Sequence, residues 1–255
     1  MSSKIPKIIH YCWFGKKEFP KLVHNCIESW KKYLPDYEIM FWNESNFDIN
    51  MLDYTKEAYD NKKFAFVSDV CRVYVLKVYG GVYLDSDVEM IKPLNSTMLE
   101  HNAFSGFEDN NLIPTGIMAS EKEGDWVNDM FNYYTGKSFV KEDGSLDLTT
   151  NVTIISNLMK DKILFNNSFQ NVENYITFYP SDVFCPKSHQ TGKINVTKNT
   201  ICIHHFAGSW RPKSFKMKAK LVGFLIRTLG EKKYSNILEL LSINLTQIIL
   251  YKIVV

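Results

Sequence analysis

The sequence has no Cys-x-x-Cys pair: its five cysteines, at positions 12, 26, 71, 185 and 202, are odd in number and far apart. That argues against both a disulfide framework and a zinc cluster and fits a reducing compartment. No run of about 18 uninterrupted apolar residues occurs, so no transmembrane helix is expected. The opening MSSKIPKIIHYCWFG is interrupted by His10 and lacks a small-residue cleavage site, so it reads as a first strand and not as a secretory signal. Charge of one sign is missing too: 30 bases stand against 28 acids, a net +2 too even to imply a polyanion, so nucleic acid is not an expected partner. Internal repeats and low-complexity linkers are absent, which leaves one domain, residues 1–210, with a C-terminal extension, 211–255. What remains is globular. With 45% hydrophobic and 14% aromatic residues over 255 positions, the chain can bury a full core and is not expected to be disordered.

The pattern along the chain is α/β. Residues 5–14 read as a buried strand, Pro20 starts a helix with Leu22, Val23, Cys26, Ile27 and Trp30 at helical spacing, and 37–42 read as a second strand. A long helix is predicted over 64–79, ending at Gly80 and Gly81, where a left-handed cap suits glycine, followed by a short buried strand over 82–84. Further strands are expected at 103–107, 113–119, 176–179 and 200–206, and helices near 126–134 and 151–160. Residues 211–233 combine eight basic side chains with apolar ones, which suits either a basic helix packed on the domain or one lying on an anionic membrane surface. The apolar tail from 237 is broken by Glu239, Asn244, Gln247 and Lys252 and is expected to pack or dock, not to span.

Candidate chemistry gathers at GGVYLDSDVEM, residues 80–90. If strand geometry persists past Leu84, Asp85 and Asp87 project to one side. Two carboxylates so close repel unless a cation lies between them, so they are either a solvated strand end or a site for magnesium, manganese or calcium. The preceding helix is apolar nearly all round yet carries Asp69 and Arg72 at i, i+3, a spacing that suits an ion pair. Buried charges are costly unless paired or used. ICIHHFAGSW, residues 201–210, ends a second apolar run in His204 and His205. An imidazole beside carboxylates favours manganese over magnesium, and adjacency means that one of the two histidines can serve. Trp13 and Trp210 offer flat faces for a base or a sugar.

Together IPKIIHYCWFG, FAFVSDVCRVYVLKVYGGVYLDSDVE and IHHFAGSW resemble the Asp-x-Asp glycosyltransferases of family 32, which include bacterial capsular polysaccharide synthesis enzymes and yeast initiating mannosyltransferases; the glucosylating domain of large clostridial toxins is similar at greater distance. The resemblance covers residues 4–211. It implies a GT-A type, Rossmann-like nucleotide-sugar-binding domain and a configuration-retaining transfer from a UDP-sugar to a glycan or lipid-linked acceptor in bacterial surface polysaccharide synthesis. The implied cofactor is manganese, with magnesium as the alternative. Apart from the resemblance, the cysteine pattern sets the expected location in the cytoplasm, and the membrane-surface alternative for 211–233 would add peripheral contact at the inner membrane. By the same resemblance Trp13 stacks on the base, with the strand through His10 lining its pocket; Asp69 and Arg72 bind the sugar and ribose side; and Tyr83 lies beside the nucleotide. Asp87 ligates the metal, Asp85 holds the ribose with a looser metal contact, and His204 or His205 adds a ligand. Ser209 and Trp210 fall near the diphosphate and transferred sugar. Thr115 stands where relatives often carry asparagine.

Two enzyme-site alternatives conflict with particular residues. Haloacid-dehalogenase-like phosphatases want threonine or valine where Glu89 stands, and an EF-hand loop wants glycine where Met90 stands. A non-catalytic carbohydrate-binding protein would need neither Trp13 with a base pocket nor a metal, so manganese-dependent nucleotide binding separates it from a transferase.

Overall fold

The computed structural model describes residues 3–108, 112–189, 191–208, 222–226, 228–230 and 233. Its larger unit takes in Met1–Pro186 and Asn195–His205. There, strand β1 (Ile8–Cys12) leads to helix α1 (Lys21–Tyr33) and strand β2 (Glu38–Trp42). Pro20 occupies the N-cap of α1 in extended conformation, and Val23, Cys26 and Trp30 at helical spacing form its buried stripe. A short helix α2 (Asp53–Asp60) precedes helix α3 (Phe64–Tyr79), strand β3 (Gly81–Leu84) and strand β4 (Val88–Met90). Then come strands β5 (Ala103–Gly106) and β6 (Ile117–Ser120), helices α4 (Asp125–Asn132) and α5 (Asn151–Met159), strands β7 (Gln170–Val172) and β8 (Ile176–Tyr179), helix α6 (Ser181–Phe184) and strand β9 (Cys202–His204).

Seven strands make one sheet in the order β2-β1-β3-β6-β5-β8-β7, and β4 pairs with β9 in a second, two-stranded sheet. The first three strands are parallel, joined through α1 and α2–α3, while β6 runs antiparallel to both neighbours and β5 pairs with β8 in parallel. The expected α/β class is therefore what the chain adopts, with a mixed sheet. Alternate residues feed two cores. Val82 and Leu84 face one with Ile9, Tyr11 and Trp30, and Tyr83 faces the other with Cys12, Val70 and Val73 of α3.

The glycines after α3 are dictated by geometry. Gly80 has φ 67° and ψ −172°, a region open to glycine almost alone and not the left-handed helical cap expected. Gly81, with φ 108°, lies so close to β1 that an added Cβ would stand 2.6 Å from the Ile8 carbonyl oxygen. This close approach seats β3 against β1, below the site.

Two expectations are corrected here. The strand does not persist past Leu84: the chain makes a tight turn in which the Val88 amide donates to the Asp85 carbonyl at 2.9 Å, and only then enters β4. The strand expected from 113 starts at Ile117, because Pro114 to Gly116 leave the ladder to bond other elements. Helices α2 and α6 and strands β4 and β7 were not predicted; the two strands have three residues each, too few for a period to show.

The smaller unit comprises Lys187–Ile194 and Phe206–Val255. It holds a β-bridge between Lys187 and Ile194, and residues 222–226 and 228–229 are helical. The expected boundary at 210/211, the basic stretch up to 221 and the tail from 234 lie outside the described residues. Among the described residues no helix is long and apolar enough to cross a membrane.

Candidate active site

Burial of α3 against β3 puts Arg72 over the face of Tyr83, with the guanidinium carbon 4.9 Å from the ring centroid. One end of the guanidinium donates to the carbonyl and hydroxyl oxygens of Thr115, at 2.7 and 2.6 Å. The other stands 3.2 Å from Asp69 Oδ1 and 3.3 Å from Asp85 Oδ1. Asp85 Oδ1 also accepts from the Tyr83 hydroxyl at 3.1 Å, and that hydroxyl lies 3.0 Å from Cys12 Sγ. Asp69 is fixed from behind: Asn151, at the start of α5, donates to its backbone carbonyl at 3.0 Å.

A turn brings the aspartates together, not strand periodicity. The Asp85 amide donates to the Gly116 carbonyl at 2.8 Å, and the Asp87 carbonyl accepts from the His205 amide at 3.0 Å. Pairing of β4 with β9 sets Val88 opposite His204. The His204 ring then points back at the turn, with Nε2 3.4 Å from Asp87 Oδ1 and 3.8 Å from Asp85 Oδ2. Gly116 makes room for that ring. A Cβ there would lie 2.7 Å from Nδ1 and 2.8 Å from Cε1.

The electrostatics follow from burial and from neighbouring charges. Burial raises the Asp69 carboxyl to about 6, against the opposing pull of Arg72, because that guanidinium is shared among several acceptors. Arg72 is itself buried, which favours its neutral form, yet Asp85, Tyr83 and Asp69 more than offset this and hold it firmly charged. Burial likewise works to lower His204, but Asp87, Asp85 and Glu108 reverse the sign and raise it. Asp69 and Asp85 thus share one guanidinium, while Asp87 faces His204. Asp85, Asp87 and His204 each offer a ligand atom within 4.8 Å of the others, a set of two oxygens and one nitrogen of the kind a divalent cation takes.

The remaining candidates are dispersed. His205 turns to the other side, its Nε2 2.8 Å from Glu89 Oε2, so of the two histidines His204 joins the aspartates. His10 has no exposed surface: Nδ1 accepts from the Trp42 indole at 3.1 Å and Nε2 meets the Gly80 carbonyl at 2.8 Å. Its ring therefore presents no nitrogen to a ligand, and the strand's expected base-lining role does not extend to it. Trp13 is half-buried, donates to the Lys17 carbonyl at 2.7 Å, and lines a cavity of about 540 Å³ with Lys16, Phe19, Phe41 and Asn43; none of the site aspartates lines it. Ser209 and Trp210 lie outside the described residues. Sequence reasoning missed Thr115 as a partner of Arg72, and Gly116 and Asn151 altogether. A glycine inside the strand predicted over 113–119 was the available signal for Gly116.

The family described as capsular polysaccharide synthesis protein matches residues 1–143, a stretch that contains Asp69, Arg72, Asp85 and Asp87. The chain belongs to this family. Inositol phosphoceramide mannosyltransferase 3 of Schizosaccharomyces pombe is 37% identical over 91 residues, 34% of this chain and 25% of that protein. An uncharacterized glycosyltransferase of Acanthamoeba polyphaga mimivirus is 25% identical over 172 residues, 62% of this chain and 64% of that one. The chain thus spans less than two thirds of either relative's length. Among solved structures, the galactosyltransferase LgtC, determined with donor and acceptor sugar analogues, aligns with a TM-score of 0.44 at 12% identity, covering 88% of this chain and 96% of that chain.

Proposed function

We propose that this chain is a glycosyltransferase that moves a sugar from a nucleotide-activated donor, a UDP-sugar, to a hydroxyl of a glycan or lipid-linked acceptor in the synthesis of a surface polysaccharide. The observation that carries the proposal is the convergence of Asp85, Asp87 and His204 beside a buried Asp69–Arg72 pair, in a chain of the capsular polysaccharide synthesis family. In the transfer, the bond from the anomeric carbon to the diphosphate breaks and a bond to the acceptor oxygen forms. The acceptor's proton goes to the departing phosphate, so no protein nucleophile is required, and the resemblance to retaining enzymes favours attack from the leaving-group face. A divalent ion, manganese by the donor set, would neutralise the charge that develops on the diphosphate. Asp87 and His204 would hold it, with Asp85 Oδ2 turned to the same point while Oδ1 stays with Arg72 and Tyr83. Arg72 and Asp69 orient the donor and do not exchange protons with it.

The test offers a panel of nucleotide sugars with manganese and measures donor binding and hydrolysis in the wild type and in Asp87→Ala. One donor should be hydrolysed, and the substitution should reduce the rate by about 100- to 1,000-fold, as loss of a charge-stabilising group does. A wild type that neither binds nor hydrolyses any donor, or an Asp87→Ala protein as active as the wild type, would overturn the proposal.

A further inference from the structure

Three residues of the site come from elements far apart in sequence: Arg72 from α3, Asp85 from the turn after β3, and His204 from β9. All three meet one dipeptide. Thr115 accepts two hydrogen bonds from Arg72 through its carbonyl and hydroxyl, and Gly116 accepts the Asp85 amide through its carbonyl. The α-carbon of Gly116, lacking a side chain, leaves the space that the His204 ring fills. The dipeptide is itself mounted on the large sheet. Ser105 of β5, fully buried, has its hydroxyl 3.3 Å from the Pro114 carbonyl and 3.0 Å from the Ile117 carbonyl, bracketing the two residues.

We infer that Thr115 and Gly116 are positioning residues that set the metal affinity of the Asp85–Asp87–His204 cluster without touching the ion. The inference rests on reading that cluster as a divalent-metal site. Each contact controls a different degree of freedom. The Thr115 hydroxyl orients the guanidinium whose other end holds Asp85 Oδ1, and so turns Oδ2 towards His204. The Gly116 carbonyl fixes the backbone of the turn. The missing Cβ lets the imidazole approach, and because Gly116 does not have a positive φ, alanine is conformationally permitted there and the conflict is purely steric. Partners of this kind, one contact removed from an ion, commonly change metal affinity by about 10–100-fold when altered.

Manganese alone is the probe, titrated by calorimetry into the full chain, with thermal melts in chelator to follow folding. Gly116→Ala should weaken binding about tenfold or more in an otherwise native protein. In a His204→Ala background the same substitution should cost nothing further, because the ring it displaces is gone. A loss due to general damage would persist there. Thr115→Val should weaken binding about fivefold, the weight of one net hydrogen bond, and Thr115→Ser should restore it. The threonine pair keeps the inference testable should Gly116→Ala not fold. If the wild type binds manganese and these variants bind it as tightly, or if the Gly116→Ala loss is undiminished without His204, the inference is overturned while the metal site stands. A wild type that does not bind manganese overturns the metal reading and the inference with it.

Discussion

His10 and His204 stand on strands with buried backbones, yet their surroundings move them in opposite directions. Burial lowers the His10 ring to about 4, only partly offset by the Gly80 carbonyl. Burial works to lower His204 as well, but Asp87 and its acidic neighbours raise it. The His10 region is closed: the Trp42 indole can only donate, so Nδ1 must be the bare nitrogen and Nε2 must carry the proton given to Gly80. Every polar atom there has a use within the fold. At His204 two carboxylates converge on one imidazole, and Asp85 is shared between that ring and Arg72. A satisfied buried histidine is a pin between strands, whereas converging groups of like charge mark a place prepared for something else.

Removing the guanidinium should blur the comparison most. Arg72→Met takes the only described cation from between Asp69 and Asp85 and leaves buried carboxylates without compensation. Loss of one partner from a buried pair costs about 3–5 kcal/mol, so chemical denaturation in chelator should show a destabilised protein. Manganese should recover part of that loss if the ion relieves the same repulsion. A variant as stable as the wild type would mean that Arg72 does not balance these acids.

Asp69→Asn should act in the other direction. Its folded value, about 6, lies above the ordinary carboxylate value of 3.8, so the fold prefers the protonated form. The sign follows: the unfolded chain gives up this proton first, and stability falls as pH rises from about 4 through 6. Asparagine mimics the neutral acid. In chelator the variant should therefore match the wild type near pH 4 and exceed it by up to about 3 kcal/mol at pH 8. If instead the wild type is the more stable at pH 8, Arg72 compensates Asp69 fully and the acid is structural. Activity should fall in either case, a trade of stability for donor binding.

Much of this contrast was legible in the sequence. Helix α3 was placed end to end because sixteen residues bounded by Lys63 and two glycines leave little freedom, and its all-round apolar character announced that Asp69 and Arg72 would be buried. The two aspartates were legible as a pair, but for the wrong reason: alternation along a strand suggested a shared side, and a turn supplied it. His204 could not be told from His205, since that choice depends on the register of β9 against β4, and register is a tertiary property. Thr115 and Gly116 were the least legible. Their value lies in backbone carbonyls, one hydroxyl and an absent methyl group, whose partners are set by tertiary contacts and not by any residue pattern. His10 misled for a related reason. A polar residue on the first strand reads as a ligand contact until Trp42 and Gly80 are seen to consume both nitrogens.

The smallest expected effect bears on that last distinction. His10→Gln keeps an acceptor for the Trp42 indole and a donor for Gly80 but cannot titrate. In the wild type the unfolded chain takes up a proton on this ring near 6.5 while the folded chain resists until about 4. Stability contributed by the neutral ring is therefore full above 6.5 and is lost as pH falls towards 4. Any advantage of the wild type over His10→Gln at pH 7 should shrink by about 2 kcal/mol at pH 5, read as the difference between their denaturation curves at the two pH values. Manganese affinity at pH 7 should be the same in both proteins. A constant stability gap would show that the ring is hydrated or already charged in the fold. A change in manganese affinity would show that the β1 junction and the acidic turn are energetically one site, and the division between pin and prepared site would then be wrong.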